Sequence, residues 1–88
     1  MNKDRRKAIA AICEQLDRLT ALRDSIVEQI ETIRDEEQDY YDNMPEGIQS
    51  GDKGDAASYA IDALDSAVSG LQALDFDDVA SYLNDAEA

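Results

Sequence analysis

The fold is decided by residues 9–40, IAAICEQLDRLTALRDSIVEQIETIRDEEQDY, which contain neither Gly nor Pro. Most of these residue types favour helix, because they lose little side-chain freedom in that conformation. Apolar positions recur at alternating intervals of three and four residues, and Arg23 and Glu37 occupy the two polar places in this repeat. A heptad repeat this regular predicts one long helix, at about residues 4–40, that packs in coiled-coil fashion.

The apolar stripe of this helix is wider than a coiled-coil seam, because Ala8, Cys13, Leu22 and Val27 flank the heptad positions. A wide stripe predicts contact with two neighbouring helices rather than one. For Arg23, we expect the stem to pack and the head group to reach solvent. The alternatives are a buried polar group that fixes register, or a pair with a carboxylate on a partner helix.

Turn and helix-stop residues mark a connector at residues 41–54, which holds Pro45 and three of the four glycines. A second apolar repeat then predicts a helix at about 55–75, with Ser50 or Asp55 as its N-cap. The apolar phase slips after Leu74, which predicts a short helix at about 77–85 with Asp77 or Asp78 as its cap. We expect residues 84–88 to be loose.

The predicted fold class is therefore all-α: one domain, residues 1–88, forming a two-helix antiparallel hairpin with a short C-terminal helical turn. Two helices bury too little surface to be stable alone, so the hairpin is expected to associate as a dimeric helical bundle. The predicted oligomer interface consists of Ile9, Ile12, Leu16, Leu19, Ile26, Ile30, Ile33, Ile61, Leu64, Val68 and Leu71.

The net charge of −13 comes from 21 acids and 8 bases, and it is distributed unevenly. Residues 1–7 carry four bases and one acid, whereas residues 35–88 carry one base and fifteen acids. Such a charge excludes ordinary binding to nucleic-acid phosphates. No apolar run is long enough for a membrane span, and the start lacks a signal peptide, so we expect a cytoplasmic protein that has no membrane partner.

Catalytic chemistry has few candidates here, because the chain has no His and only one Cys. We expect Cys13 to be a small buried hydrophobic residue, and no cofactor or catalytic residue is predicted. Two carboxylate pairs, Glu28 with Glu31 and Asp62 with Asp65, loosely resemble the acidic Mg²⁺ cluster of all-α nucleotide pyrophosphohydrolases. This resemblance implies a Mg²⁺-dependent nucleotide hydrolase as one alternative function, although the flanking pattern of that family is missing.

Two charged clusters are candidate binding surfaces. The densest group of acids lies around the C-terminal end of the first predicted helix, and we term it the terminal acidic patch. By mimicry of nucleic acid it would occupy a basic surface of another protein. The basic tip is expected either to meet the acidic turn of a second copy or to bind a phosphorylated small molecule. The patch consists of Asp35, Glu36, Glu37, Asp39, Asp42 and Glu46, and the tip of Lys3, Arg5, Arg6 and Lys7.

Residues 35–49, DEEQDYYDNMPEGIQ, resemble a signature of short, acidic, uncharacterised helical-hairpin proteins of phages and mobile elements. The resemblance extends over about residues 30–74 and implies an accessory protein without catalytic residues. The expected function is thus non-enzymatic binding by a homo-oligomer, most concretely inhibition of a basic host protein. An alternative is an oligomeric sponge that sequesters a nucleotide messenger through the basic tip, Tyr40 and Tyr41.

Overall fold

The computed structural model of the chain describes residues 1–87, and every regular element in that range is an α-helix. The elements are α1 (Lys3–Asp42), α2 (Glu46–Gln49), α3 (Asp52–Gln72) and α4 (Asp77–Glu87). The all-α prediction is confirmed. The molecule is a rod whose Cα dimensions are 69 × 15 × 13 Å.

The first helix is longer than predicted at both ends. Asn2 caps it, because the Oδ1 of Asn2 accepts a hydrogen bond of 2.8 Å from the backbone N–H of Arg5. At the other end, the N–H of Asn43 still donates to the carbonyl of Asp39, and Pro45 then adopts an extended conformation. A helix of 40 residues spans about 60 Å, which sets the length of the whole rod.

The connector contains a short helix, α2, and is tighter than the sequence predicts. The N-cap of α3 is Gly51, so neither Ser50 nor Asp55 has that role. Gly54, in the first turn of α3, lies directly against the backbone of Gln49 at the end of α2. A Cβ at Gly54 would stand 2.6 Å from the Cα of Gln49, which is closer than van der Waals contact allows. The missing side chain at residue 54 allows this close approach of α2 to α3, and α3 begins at Asp52 rather than at about residue 55.

A break of four residues separates α3 from α4. The N–H of Asp77, the first residue of α4, donates to the Oδ1 of Asp75 at 2.9 Å, and Asp77 and Asp78 lie within the helix rather than at its cap. The helix then continues to Glu87. Residues 84–87 are therefore helical rather than loose, and Ala88 lies outside the described residues.

The helices α1 and α3 run antiparallel. Arg34 of α1 contacts Asp65 of α3, and Arg23, earlier in α1, contacts Leu74, later in the chain. The helix α4 also packs against α1, and α2 packs against α3. The molecule is thus a hairpin in which one continuous helix faces a second arm made of two pieces.

The core is a single thin seam between α1 and this second arm. Its α1 side consists of the buried or half-buried residues at alternating intervals of four and three: Ile9, Cys13, Leu16, Thr20, Arg23, Val27, Ile30, Arg34, Glu37 and Tyr41. Ala57, Ile61 and Val68 are the buried apolar residues of α3. The accessible surface of 6464 Å² exceeds the roughly 5,100 Å² expected of a compact monomer of this mass.

Candidate functional site: two opposite faces of the hairpin

The predicted oligomer interface separates into two sets of residues. Seven of its members lie in the seam and contact the other arm of the same chain: Ile9, Leu16, Ile30, Ile61, Leu64, Val68 and Leu71. The other four remain accessible, and Leu19 and Ile33 are 45% and 54% exposed. The prediction treated these sets as one surface, and Ile12, Leu19, Ile26 and Ile33 are its most exposed members in a single chain.

The accessible set is part of a longer series of apolar side chains along one side of the hairpin, which we term the apolar face. On α1, its residues recur every seven positions from Ile12 to Tyr40, and Leu22 widens the row. On α3, the corresponding residues are mostly small. The apolar face comprises Ile12, Leu19, Leu22, Ile26, Ile33 and Tyr40 of α1, and Ala60, Ala63, Ala67 and Leu74 of α3 and its end.

The two rows lie on the same side of the hairpin because of helical geometry. Ile26 and Ile33 each precede a seam residue by one position, and Ala60 and Ala67 likewise precede the seam residues Ile61 and Val68. Viewed along the hairpin axis, one helix of an antiparallel pair rotates clockwise and the other anticlockwise. Residues one position before a seam residue therefore lie on the same side of the hairpin in both helices. The large side chains of α1 therefore stand beside the small side chains of α3.

The opposite side of the hairpin is acidic. Asp24 and Glu31 follow the seam residues Arg23 and Ile30 by one position, as Asp65 follows Leu64. Carboxylates recur along this side at intervals of three, four and seven over much of the length of α1. The acidic face comprises Glu14, Asp17, Asp24, Glu28, Glu31, Asp35 and Asp42 of α1, and Asp55, Asp62 and Asp65 of α3.

Arg34 ties the acidic face to the seam. Its Nη1 donates to the Oδ1 of Asp65 at 3.0 Å, and its Nε and Nη2 both donate to the Oδ1 of Asp35, at 3.3 and 3.0 Å. The hydrogen bond that Arg34 donates to Asp65, and then those it donates to Asp35, raise the pKa of Arg34 above its ordinary value. The remaining carboxylates of the face leave a strongly negative and almost fully exposed surface.

The terminal acidic patch does not form one surface. Asp35 and Asp42 belong to the acidic face, but Glu37 is half-buried in the seam, and Glu36 precedes it on the apolar side. Asp39 points outward between these sides, because its position is two residues past the seam. Consecutive residues of a helix point in different directions around its axis, whereas residues three or four positions apart lie on the same side. The repeat of acids at that spacing was the informative signal, and sequence reasoning missed it.

The basic tip and the turn tyrosines lie at opposite ends of α1. Lys7 and Tyr40 are separated by 33 residues, or about 50 Å of helix. Lys3, Arg5, Arg6 and Lys7 are all exposed. A nucleotide site that uses both clusters, as the sponge alternative requires, is therefore not assembled within one chain.

Arg23 has a more specific role than the predicted one. Its head group does not escape to solvent: Nη1 donates to the carbonyl of Leu74, and Nη2 donates to the Oδ1 of Asp24 at 2.9 Å. The last turn of α3 contains no basic residue of its own. Arg23 thus places a positive charge from α1 at the carbonyl end of α3, where the helix dipole is negative.

The carboxylate pairs of the hydrolase alternative both lie on the acidic face, Glu28 and Glu31 on α1 and Asp62 and Asp65 on α3. Residues 1–87 contain no group of three or more acidic or sulfur ligands close enough to hold an ion, and Asp65 is occupied by Arg34. That same range encloses no pocket. Cys13 is a free thiol in the seam, half-buried rather than fully buried.

Over residues 1–87, no helix combines the length and the apolar character needed to cross a bilayer. No protein-family model, curated protein sequence or solved structure matches the chain. The most distinctive features of the hairpin are thus its apolar face and its acidic face.

Proposed function

We propose that this protein is a non-enzymatic, homo-oligomeric accessory protein of a phage or mobile element that acts by binding in the host cytoplasm. Its acidic face would occupy a basic, nucleic-acid-binding surface of a host protein and so inhibit that protein. The observation that carries this proposal is the row of ten carboxylates along one side of the rod.

The charge and spacing of this row suit the role. Carboxylates three or four residues apart on a helix lie about 5–6 Å from one another, which resembles a line of phosphates. The residues of α1 on this face extend from Glu14 to Asp42, a length of about 40 Å. Because most of these side chains are exposed, a basic partner can reach them without any rearrangement of the hairpin.

The experiment compares two variants that each lose four negative charges. The first neutralises the acidic face with Glu14→Gln, Asp17→Asn, Glu28→Gln and Glu31→Gln. The matched control neutralises acids elsewhere, with Glu36→Gln, Asp39→Asn, Asp78→Asn and Asp85→Asn. Each protein is titrated into the heparin-retained proteins of a bacterial extract that are bound to a labelled DNA duplex, and release of the duplex is measured over a salt series.

We expect the unchanged protein and the control to release DNA at similar concentrations, with steep loss of activity as salt rises. The acidic-face variant should require at least about tenfold more protein, since each neutralised carboxylate weakens the attraction to a basic surface. Equal activity of the two variants would show that only net charge matters. Retention of all DNA by the extract proteins at low salt would refute the inhibitor function itself.

A further inference from the structure

We infer that the apolar face is covered by a second copy of this chain, and that the two α1 helices pack against each other in antiparallel orientation. The inference rests on the homo-oligomer part of the proposed function and deepens it by assigning the surface and the orientation. It does not depend on the identity of a host protein.

Surface area favours a second copy. The chain exposes about 1,300 Å² more than a compact monomer of its mass because it is a thin rod, and a second copy would bury part of this surplus. The two larger dimensions of the rod, 69 and 15 Å, outline a face of about 1,000 Å², whereas a standard interface uses about 800 Å² per partner. The side of the rod that carries the apolar face, together with its polar borders, is thus large enough for a stable dimer.

The α1 part of the apolar face is self-complementary. Its large residues are evenly spaced, seven positions apart: Ile12, Leu19, Ile26, Ile33 and Tyr40. In an antiparallel copy with Ile26 facing Ile26, each of the five residues therefore faces a residue of the same set. Isologous contact of this kind is the geometry of a two-fold dimer. The small residues of α3 then meet their own counterparts, and two hairpins form a four-helix bundle with alternating large and small contacts.

Charge selects this orientation over the parallel one. Residues 35–55 carry eight acids and one base, whereas residues 3–7 carry four bases and one acid. A parallel dimer would bring both acidic turns together at one end of the rod. The antiparallel dimer instead places the basic tip of each protomer beside the acidic turn of its partner. Residues 75–87 add five acids to the end of the rod that holds the basic tip. With these included, the antiparallel dimer still divides the negative charge evenly between the two ends.

A lipid surface is a weaker occupant. Glu36 and Asp39 border the apolar face, and anionic headgroups would repel them. A second copy instead brings Arg5 and Arg6 toward this acidic end of the rod. Docking of the two copies also leaves both acidic faces pointing outward, so that the dimer presents two equivalent binding surfaces.

The first test is the mass of the purified full chain by sedimentation at micromolar concentrations. The unchanged protein should be a dimer, and Leu19→Ser with Ile33→Ser should shift it to monomer. The matched control, Ile48→Ser with Tyr59→Ser, removes exposed apolar side chains outside the apolar face and should stay dimeric. A monomeric unchanged protein would overturn the inference, as would a control variant that dissociates equally.

The second test is the distance between spin labels at position 4, in an Asp4→Cys, Cys13→Ser variant. The antiparallel dimer separates the two labels by about 60 Å, whereas a parallel dimer brings them within about 20 Å. In addition, Ile26→Cys should form an interchain disulfide, because packed antiparallel helices bring facing Cα atoms within about 7 Å on the two-fold axis. A short label distance would overturn the antiparallel orientation.

These tests use the purified protein alone, so their failure is separable from failure of the proposed function. A monomer that still displaces DNA from extract proteins would overturn only the dimer. A dimer of the expected geometry that displaces none would overturn only the inhibitor function.

Discussion

Arg34 and Asp65 form the ion pair that joins the two arms of the hairpin: Nη1 of Arg34 lies 3.0 Å from Oδ1 of Asp65, across 31 positions of sequence. The side chains of Arg34 and Asp65 are 29% and 50% accessible, so solvent screens their attraction. The pair therefore specifies which residues face each other more than it holds the arms together.

A double-mutant cycle on this pair should give a small coupling energy. We expect Arg34→Gln and Asp65→Asn to be coupled by less than about 1 kcal/mol in urea unfolding, and by less still at high salt. A coupling above about 2 kcal/mol would mean that the pair is desolvated in solution. Asp62→Asn serves as the control, since it removes an exposed charge one turn away without touching Arg34.

Replacing Arg23 should destabilise the end of α3. Arg23→Met keeps most of the packing stem but removes the donor to the Leu74 carbonyl and the positive charge at the helix end. We expect a loss of about 1 kcal/mol in the free energy of unfolding, together with faster amide exchange at the end of α3. Arg18→Met, at an exposed position of α1, provides the matched loss of charge and should change stability far less.

Gly54→Ala should be strongly destabilising. The new Cβ would collide with the backbone of Gln49, and no rotamer change can relieve a backbone clash. We expect a loss of about 2–3 kcal/mol, the range of overpacking in a well-filled site. Gly47→Ala is the control, because nothing lies within 4 Å of its added Cβ. Equal urea midpoints for the two variants would contradict the close approach of α2 and α3.

The two sets of apolar residues should respond differently to truncation. Ile61→Val deletes one methyl group in the seam and should lower the free energy of unfolding by about 1 kcal/mol at every protein concentration. Ile33→Ala, on the apolar face, should lower the urea midpoint only at concentrations where the dimer forms. If Ile33→Ala destabilised dilute protein as strongly as concentrated protein, Ile33 would belong to the protomer core instead.

The basic tip should contribute to association through its charge. Arg5→Ala with Arg6→Ala removes two positive charges that the antiparallel dimer brings near the partner's acidic turn. Dimer dissociation measured by sedimentation should rise several-fold at low salt and much less at high salt, because screening acts over about 10 Å. Arg5→Lys with Arg6→Lys is the control, since it keeps both positive charges and should associate normally. Unchanged association of the Arg5 and Arg6 alanine variant would refute the contact.

The sequence predicts the helices well, and the division of surfaces only in part. Glycine and proline mark the connector, and the alternating repeat marks α1 almost to the residue. That repeat is ambiguous, however, because Ile12 and Cys13 both satisfy a spacing of three or four from Ile9, and Ile26 and Val27 present the same choice from Arg23. The larger side chains point to Ile12 and Ile26, yet the chain packs Cys13 and Val27 inside.

The misplaced features have local physical causes. The start of α3 depends on the contact of Gly54 with Gln49, which joins two segments and leaves no periodic signal. The role of Arg23 depends on where a different helix ends. The acidic face, by contrast, is predictable from the sequence. The intervals between Glu14, Asp17, Asp24 and Glu28 are those of residues on one side of a helix.

The second arm is interrupted by the break at residues 73–76, whereas the first arm is one continuous helix. None of residues 77–87 is fully buried, so α4 can detach from α1 while the remainder of the hairpin stays folded. Undocking would uncover the part of α1 that precedes Arg23. We therefore expect local unfolding to begin at the end of the rod that holds α4 rather than at the connector.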